Sequence, residues 1–285
     1  MAKKKLPKSI LIVCEGTKTE HDYFEYIAKN ISIPRGVWNI VDVCDNNTLP
    51  SDFPIPSSTE LGNRKKRCFI NPNKRKISAP NVLKELCIDI YGEKDAFEKY
   101  DNIKAVPLRY VAQAQLIEKR QQMYDELWAV FDKDKHTHHE EAFKKAQKEI
   151  NNKKVQIGFS SRSFEHWLIL HFEKINRPFL KSECKNEKGV SLDCDSTQGC
   201  EGETCLVGYI KTHTPLVNYQ KSNNPNELEA MMSVLLQPEN LQQAFQNAIW
   251  LRDEIQKDPS IKDKKCYELN PYTDVDVLVK RLIET

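Results

Sequence analysis

SILIVC, residues 9–14, running directly into EGTKTE, residues 15–20, decides the reading of the fold. Six residues with no polar alternation beyond Ser9 have strand length. A strand buried on both faces reads this way, as in a parallel sheet covered by helices. The polar turn that follows opens a helix, in which Phe24, Ile27, Ala28 and Ile31 recur at three- and four-residue spacing until Pro34 and Gly36 end it. The first unit is therefore strand, loop, helix.

The same alternation of elements continues along the chain. Residues 38–44 (WNIVDVC) read as a second strand. Residues 45–78 lose all periodicity, with Pro50, Pro54, Pro56, Gly62 and Pro72 among Asn, Ser and basic residues, and form an insertion or long loop. Helical spacing returns at 80–90 and, less sharply, at 106–123. Residues 126–131 (ELWAVF) are a strand ending at Asp132, and Ala142, Phe143, Ala146 and Ile150 mark the next helix. Val155, Ile157 and Phe159 alternate over a fourth strand that leads into a helix candidate at 160–175 (SSRSFEHWLILHFEKI). A cysteine-rich excursion to Cys205 precedes helices near 227–236, 240–257 and 273–283. Strands interleaved with helices predict an α/β fold with a largely parallel sheet flanked by helices, and a mainly helical C-terminal region. The expected organisation is a catalytic core at 1–175, with its insertion at 45–78, and a cysteine-rich and helical region at 176–285.

Composition narrows the class. Of 285 residues, 29% are charged, and no apolar run approaches the roughly 18 residues of a membrane span. The apolar run at 10–14 is too short for an export signal, so a cytoplasmic, membrane-independent protein is expected. Nine cysteines, an odd number, fit reduced thiols or metal ligands better than a disulfide framework. The net charge of +2 conceals a concentration of base: residues 61–84 hold Arg64, Lys65, Lys66, Arg67, Lys74, Arg75, Lys76 and Lys84 without one Asp or Glu.

The chemistry points to the strand ends. In an open parallel sheet, the carboxyl ends of the strands form the crevice where ligands collect. Glu15, Asp132 and Asp134 fall there. Asp132 and Asp134 are two residues apart, so in an extended segment their side chains face the same way and suit a shared cation. Hard oxygen donors select Mg²⁺ or Mn²⁺, which bind few protein carboxylates and complete their shell with water and substrate phosphate. Either carboxylate alone is as readily a helix cap or a loop residue. Their joint position at two strand ends favours a site.

At these residues the sequence resembles the Toprim fold, and more narrowly the RloB family of prokaryotic defence proteins. The resemblance rests on ILIVCEGTKTEHDYF (10–24), WAVFDKD (128–134) and SRSFEHWLILHF (161–172), in order, with YELNPYTDVDVLVKRL near the C-terminus. His166 stands where the family usually has an apolar residue. The resemblance implies a Toprim catalytic domain in which Glu15 is the general acid or base and the two aspartates hold Mg²⁺.

Several neighbours join the candidate site. Glu20 reads as a ligand of a second ion or as a favourable charge in the first helical turn, and Lys18 as a phosphate contact. Glu165 follows the fourth strand and could reach the cleft. His136 and Lys133, beside the aspartates, are candidate phosphate contacts. Arg64, Lys65, Lys66 and Arg67, with Phe69 nearby, would suit a nucleic-acid backbone and a stacked base. Cys184, Cys194, Cys200 and Cys205 supply enough thiols for a structural Zn²⁺, although no C-x₂-C knuckle is present.

The leading expectation is a Mg²⁺-dependent nuclease that hydrolyses RNA, tRNA among it, or DNA in antiphage defence. Two alternatives keep the fold: a non-catalytic or partner-activated toxin-like subunit of an ATPase-linked complex, and a primase-like nucleotidyl transferase. No Walker A motif is present, so an ATP-driven step would need a partner ATPase or another defence protein.

Overall fold

The computed structural model describes residues 9–30, 40–45, 47–50, 53, 79–191, 200, 203–221 and 224–283. Its element order is β1 (Ser9–Cys14), α1 (Thr19–Asn30), β2 (Ile40–Cys44), α2 (Ala79–Ile103), α3 (Leu108–Gln121), β3 (Glu126–Asp132), α4 (His139–Ala146), β4 (Val155–Ser160), α5 (Glu165–Ile169), α6 (Leu206–His213), α7 (Pro225–Leu235), α8 (Pro238–Gln256) and α9 (Val275–Ile283), with short 3₁₀ turns at Pro259–Ile261 and Cys266–Glu268. The four strands form one all-parallel sheet in the order β2-β1-β3-β4. The predicted α/β class, with a mostly helical C-terminal region, is borne out.

The apolar run that opened the reading is the centre of the sheet. Ile10, Leu11, Ile12, Val13 and Cys14 are all fully buried. β1 pairs in parallel with β2 on one side, Ser9 opposite Ile40, and with β3 on the other, Cys14 opposite Val130. Burying each such aliphatic side chain contributes about 1.5–3 kcal/mol relative to exposure, which is why a strand shielded on both sides tolerates no polar alternation.

Two compact units divide the chain: Met1–Val130 with His136–Ile157, and Phe131–Lys135 with Gly158–Glu284. In the first, Tyr23, Phe24 and Ile27 of α1, Val82, Leu83, Leu86 and Cys87 of α2, and Tyr110, Val111, Ala114 and Ile117 of α3 are buried at helical spacing. α2 is two helical stretches joined at Gly92, whose φ of 76° is a conformation that favours glycine. Buried Gln113 donates to the carbonyls of Asp45 and Thr48, at 3.2 and 3.4 Å, fixing the chain beyond β2. Gln115 does the same for the end of α4 through Lys145 and Lys148.

In the second unit, Phe164, Trp167, Leu168, Ile169 and Leu170, Ala244, Ala248 and Leu251 of α8, and Val275, Leu278, Val279 and Leu282 of α9 form the buried apolar core, with α5 packed on α8 and α8 on α9. Asn247 of α8 reaches across this core to donate to the Leu170 carbonyl at 2.8 Å.

Two helices differ from the periodicity. Ile150 lies outside α4: it closes a turn with Lys153 through Asn151 and Asn152, at φ 51° and 63°, a region asparagine tolerates. The segment after β4 forms a true helix only over Glu165–Ile169. Around it, bonds such as Trp167 N–H to the Phe164 carbonyl and His171 N–H to the Leu168 carbonyl wind tight i to i+3 turns. Residues 164–171 are buried throughout, so their apolar pattern reflects all-round burial and sets no regular helical stripe.

Candidate active site at the carboxyl ends of the strands

Strand order fixes where a ligand would bind. From β1 the chain crosses to β2 on one side, and from β3 to β4 on the other, so β1 and β3 flank the point where the winding direction reverses. Open α/β sheets bind ligands beyond the carboxyl ends of the strands at this switch point. Glu15 is the first residue after β1, and its N–H donates to the Val130 carbonyl at 2.8 Å. Asp132 is the last residue of β3.

In the first unit, Glu15 has a basic neighbour. Its Oε1 lies 2.9 Å from Nε2 of His136, and both side chains are partly exposed. The His136 ring lies 6.5 Å from that of His139, where α4 begins. Glu20, in the first turn of α1, is buried and folds back onto the loop after β1. A Cβ placed on Gly16 would sit 2.0 Å from Glu20 Oε2. A side chain at position 16 would force that carboxylate to move. Gly16 escaped the sequence reading, although a glycine following a strand-terminal acid marks a place where another group can press against the backbone. Lys18 is exposed, and its carbonyl accepts the Asp22 N–H at 2.8 Å.

In the second unit, the segment 131–135 carries the aspartates. Asp132 is buried and Asp134 is exposed. The expectation that both lie on one extended segment is corrected. The strand ends at Asp132, Lys133 N–H still reaches the Ser160 carbonyl at 2.9 Å, and Asp134 enters a turn at φ 32°. Aspartate adopts this left-handed conformation more readily than most residues. The two-residue spacing thus joins a strand end to a turn, not two positions of one pleat. Lys133 donates to the Leu269 carbonyl at 3.1 Å, and burial, followed by repulsion from Arg162, draws its ammonium below the usual lysine range. Glu15, Asp132 and Asp134 each offer carboxylate oxygens, hard donors of the kind that suit Mg²⁺ or Mn²⁺.

The end of β4 is braced by the C-terminal loop. Phe159 N–H donates to Asp274 Oδ1 at 2.7 Å, Ser160 and Thr273 share a hydroxyl bond of 2.9 Å, and Ser161 N–H reaches the Tyr272 carbonyl at 2.7 Å. Burial pushes the Asp274 carboxyl up to about 7. Glu165 is buried, and its Oε1 accepts from Tyr219 at 2.7 Å and pairs with Lys221 at 3.0 Å. Burial disfavours its charge, but Lys221 and the Tyr219 hydroxyl hold the carboxyl below the usual range. Tyr219 and Lys221 lie more than fifty residues from Glu165, and nothing local in the sequence signalled them. Burial pushes His166 and His171 down to about 4, so both are neutral at pH 7. His171 Nδ1 bonds the Trp167 carbonyl at 3.0 Å, a structural role.

Of the four clustered cysteines, Cys184, Cys200 and Cys205 come together and are buried, whereas Cys194 lies outside the described residues. Burial alone would raise the Cys200 thiol, but hydrogen bonds from Cys184, Cys205 and Thr204 bring it down to about 6. Cys14 and Cys44 pack in their strands as small buried side chains, as expected. The basic stretch with Arg64, Lys65, Lys66, Arg67 and Phe69 also lies outside the described residues. No helix is long and apolar enough to cross a membrane among the described residues.

Comparison with known proteins places the chain in a family. The family model described as RloB-like protein matches residues 10–282, nearly the whole chain. No curated protein and no solved structure matches the sequence.

Proposed function

The chain belongs to the RloB-like protein family, and on that footing we propose that it is a Mg²⁺-dependent nuclease acting on RNA or DNA, with antiphage defence as its setting. The observation that carries the reading is topological. The two strands flanking the switch point each end in a carboxylate, Glu15 after β1 and Asp132 in β3. A structural role for an acid at either strand end would not require both to fall on this pair of strands.

In this reading Asp132 and Asp134 hold the cation, and Glu20 lies close enough to Gly16 to support the loop carrying Glu15. Bound Mg²⁺ would supply charge neutralisation at a phosphoryl oxygen and acidify a coordinated water. Glu15 is the proton-transferring group. His136, at 2.9 Å, orients its carboxylate and can exchange a proton with it. Lys18, exposed in the loop after β1, serves as a contact for a substrate phosphate.

Structured RNA is the favoured polymer. None of the sequence motifs has the helix-turn-helix pattern by which proteins read duplex DNA, and RNA is recognised through shape and unstacked bases. Incubating the purified chain and Mg²⁺ with labelled tRNA, single-stranded DNA, duplex DNA and nucleotides tests this directly. Cleavage supports the proposal. Product extension would replace it with nucleotidyl transfer, and inactivity restored by added partner proteins would replace it with a partner-activated subunit.

A further inference from the structure

A polar excursion between two folded segments needs something to bury if it is to hold one conformation. Residues 181–205 are rich in Lys, Glu, Ser, Asp and Gly, and among those described the buried side chains are thiols. Among the described residues, Cys184, Cys200 and Cys205 form a buried cluster of their own.

The backbone presents these thiols to one another. Leu180 N–H and Lys181 N–H both donate to the Thr204 carbonyl, and Lys181 pairs with Cys205 in a parallel bridge. Leu206 N–H and Val207 N–H return to the carbonyls of Lys181 and Ser182, at 3.2 and 2.9 Å. The chain before Cys184 is thereby tied to the chain around Cys205. Cys205 caps α6, its sulfur accepting the Gly208 N–H at 3.3 Å, so a negative sulfur there faces the positive end of that helix. The Lys181 ammonium adds a compensating positive charge beside the three thiols.

Distances discriminate between possible uses of the cluster. Cys184 and Cys205 each place their sulfur 3.3 Å from that of Cys200, and all three ligand atoms lie within 4.8 Å of one another. A disulfide needs about 2.05 Å, and it would join two thiols and leave the third outside. Tetrahedral thiolates about 2.3 Å from a Zn²⁺ ion stand about 3.8 Å apart, which the observed pairs reach by separating about half an ångström. Carboxylate-preferring Mg²⁺ has no affinity for such a set, whereas soft thiolates select zinc.

We propose that Cys184, Cys200 and Cys205 bind a structural Zn²⁺ as three thiolates, with one further ligand completing the tetrahedron. Binding releases the thiol protons to solvent and involves no oxidation or reduction. The ion pins residues 181–184 to the start of α6 and stands apart in chemistry from the carboxylate site. It rests on the geometry of the thiols alone, so its fate is independent of the nuclease proposal.

Elemental analysis of the intact chain, purified without chelator, tests the site. The expected result is about one zinc per chain, lost in Cys184→Ser and in Cys205→Ser. Because those variants can also fail to fold, a second measurement uses the unaltered protein. After a strong chelator removes zinc, Co²⁺ titration should restore one equivalent with an intense thiolate-to-cobalt charge-transfer band, and the excursion should become more sensitive to protease while metal-free. Absence of zinc together with absence of the cobalt band would overturn the proposal. So would zinc retained when all three cysteines are replaced, or a disulfide between two of them in non-reducing mass spectrometry of the freshly purified chain.

Discussion

His136 Nε2 lies 2.9 Å from Glu15 Oε1, joining the loop after β1 to the segment that leads into α4. The pair is partly exposed, so its worth to stability is small, below about 1 kcal/mol. Its worth to proton transfer is larger if Glu15 is the acid-base group. His136→Ala should therefore lower cleavage at least roughly tenfold while the melting temperature hardly moves. Turnover and thermal melting measured on the same preparation check this, and unchanged turnover would remove His136 from the site.

Gly16 and Glu20 give a second test. An alanine at position 16 would place its Cβ 2.0 Å from Glu20 Oε2, so the carboxylate must move away from the loop after β1. Gly16→Ala should reduce cleavage by roughly tenfold or more, a loss typical of a misplaced group near the chemistry. Glu20→Gln should reduce it as well. If the glycine acts through Glu20, the double variant will be little worse than the more affected single variant, and strictly multiplicative losses would contradict that coupling.

The Asp274 brace predicts a pH dependence of stability. Its carboxyl is raised to about 7 in the fold, well above the unfolded value of about 3.9. Between these values the folded state binds the extra proton, so this group's contribution to stability falls as pH rises from about 4 to about 7. His166 and His171, lowered to about 4, act in the opposite sense, losing stability as pH falls through the same window. The prediction is therefore for a difference between proteins. Asp274→Asn, which can still accept the Phe159 N–H, should melt higher than the parent at pH 8, with the gap closing towards pH 4.

Glu165 separates support from chemistry. Its carboxylate is the acceptor shared by Tyr219 and Lys221 in a buried setting. Glu165→Ala should cost on the order of 3 kcal/mol, visible as an earlier denaturant midpoint. A variant that kept full stability and lost only cleavage would show that Glu165 acts on the substrate.

The fold was legible where burial is two-sided and continuous. SILIVC could belong only to a shielded strand, and ELWAVF repeated the signal, so the sheet and its interleaved helices followed. Legibility failed where backbone geometry, not side-chain pattern, decides. Nothing in the spacing of Asp132 and Asp134 announces that the strand stops between them and the second enters a left-handed turn. The apolar run at 164–172 matched a helix although the chain winds in tight turns. For the candidate site, strand-end carboxylates could be located from sequence because an acid directly after an apolar run is conspicuous. The partners that position them could not. His136 is 121 residues from Glu15, and Gly16 signals its role only once the Glu20 carboxylate is seen against it.

We propose that a divalent cation held by Asp132 and Asp134 drives phosphodiester cleavage. This is tested most directly by titrating Mg²⁺ into cleavage reactions of the parent chain and of Asp132→Asn side by side, after removal of all metal. The expected result is saturable, Mg²⁺-dependent cleavage by the parent and a loss of at least roughly a hundredfold in the variant, with the two proteins melting alike. Equal cleavage by Asp132→Asn, or cleavage undiminished by excess chelator, would contradict it.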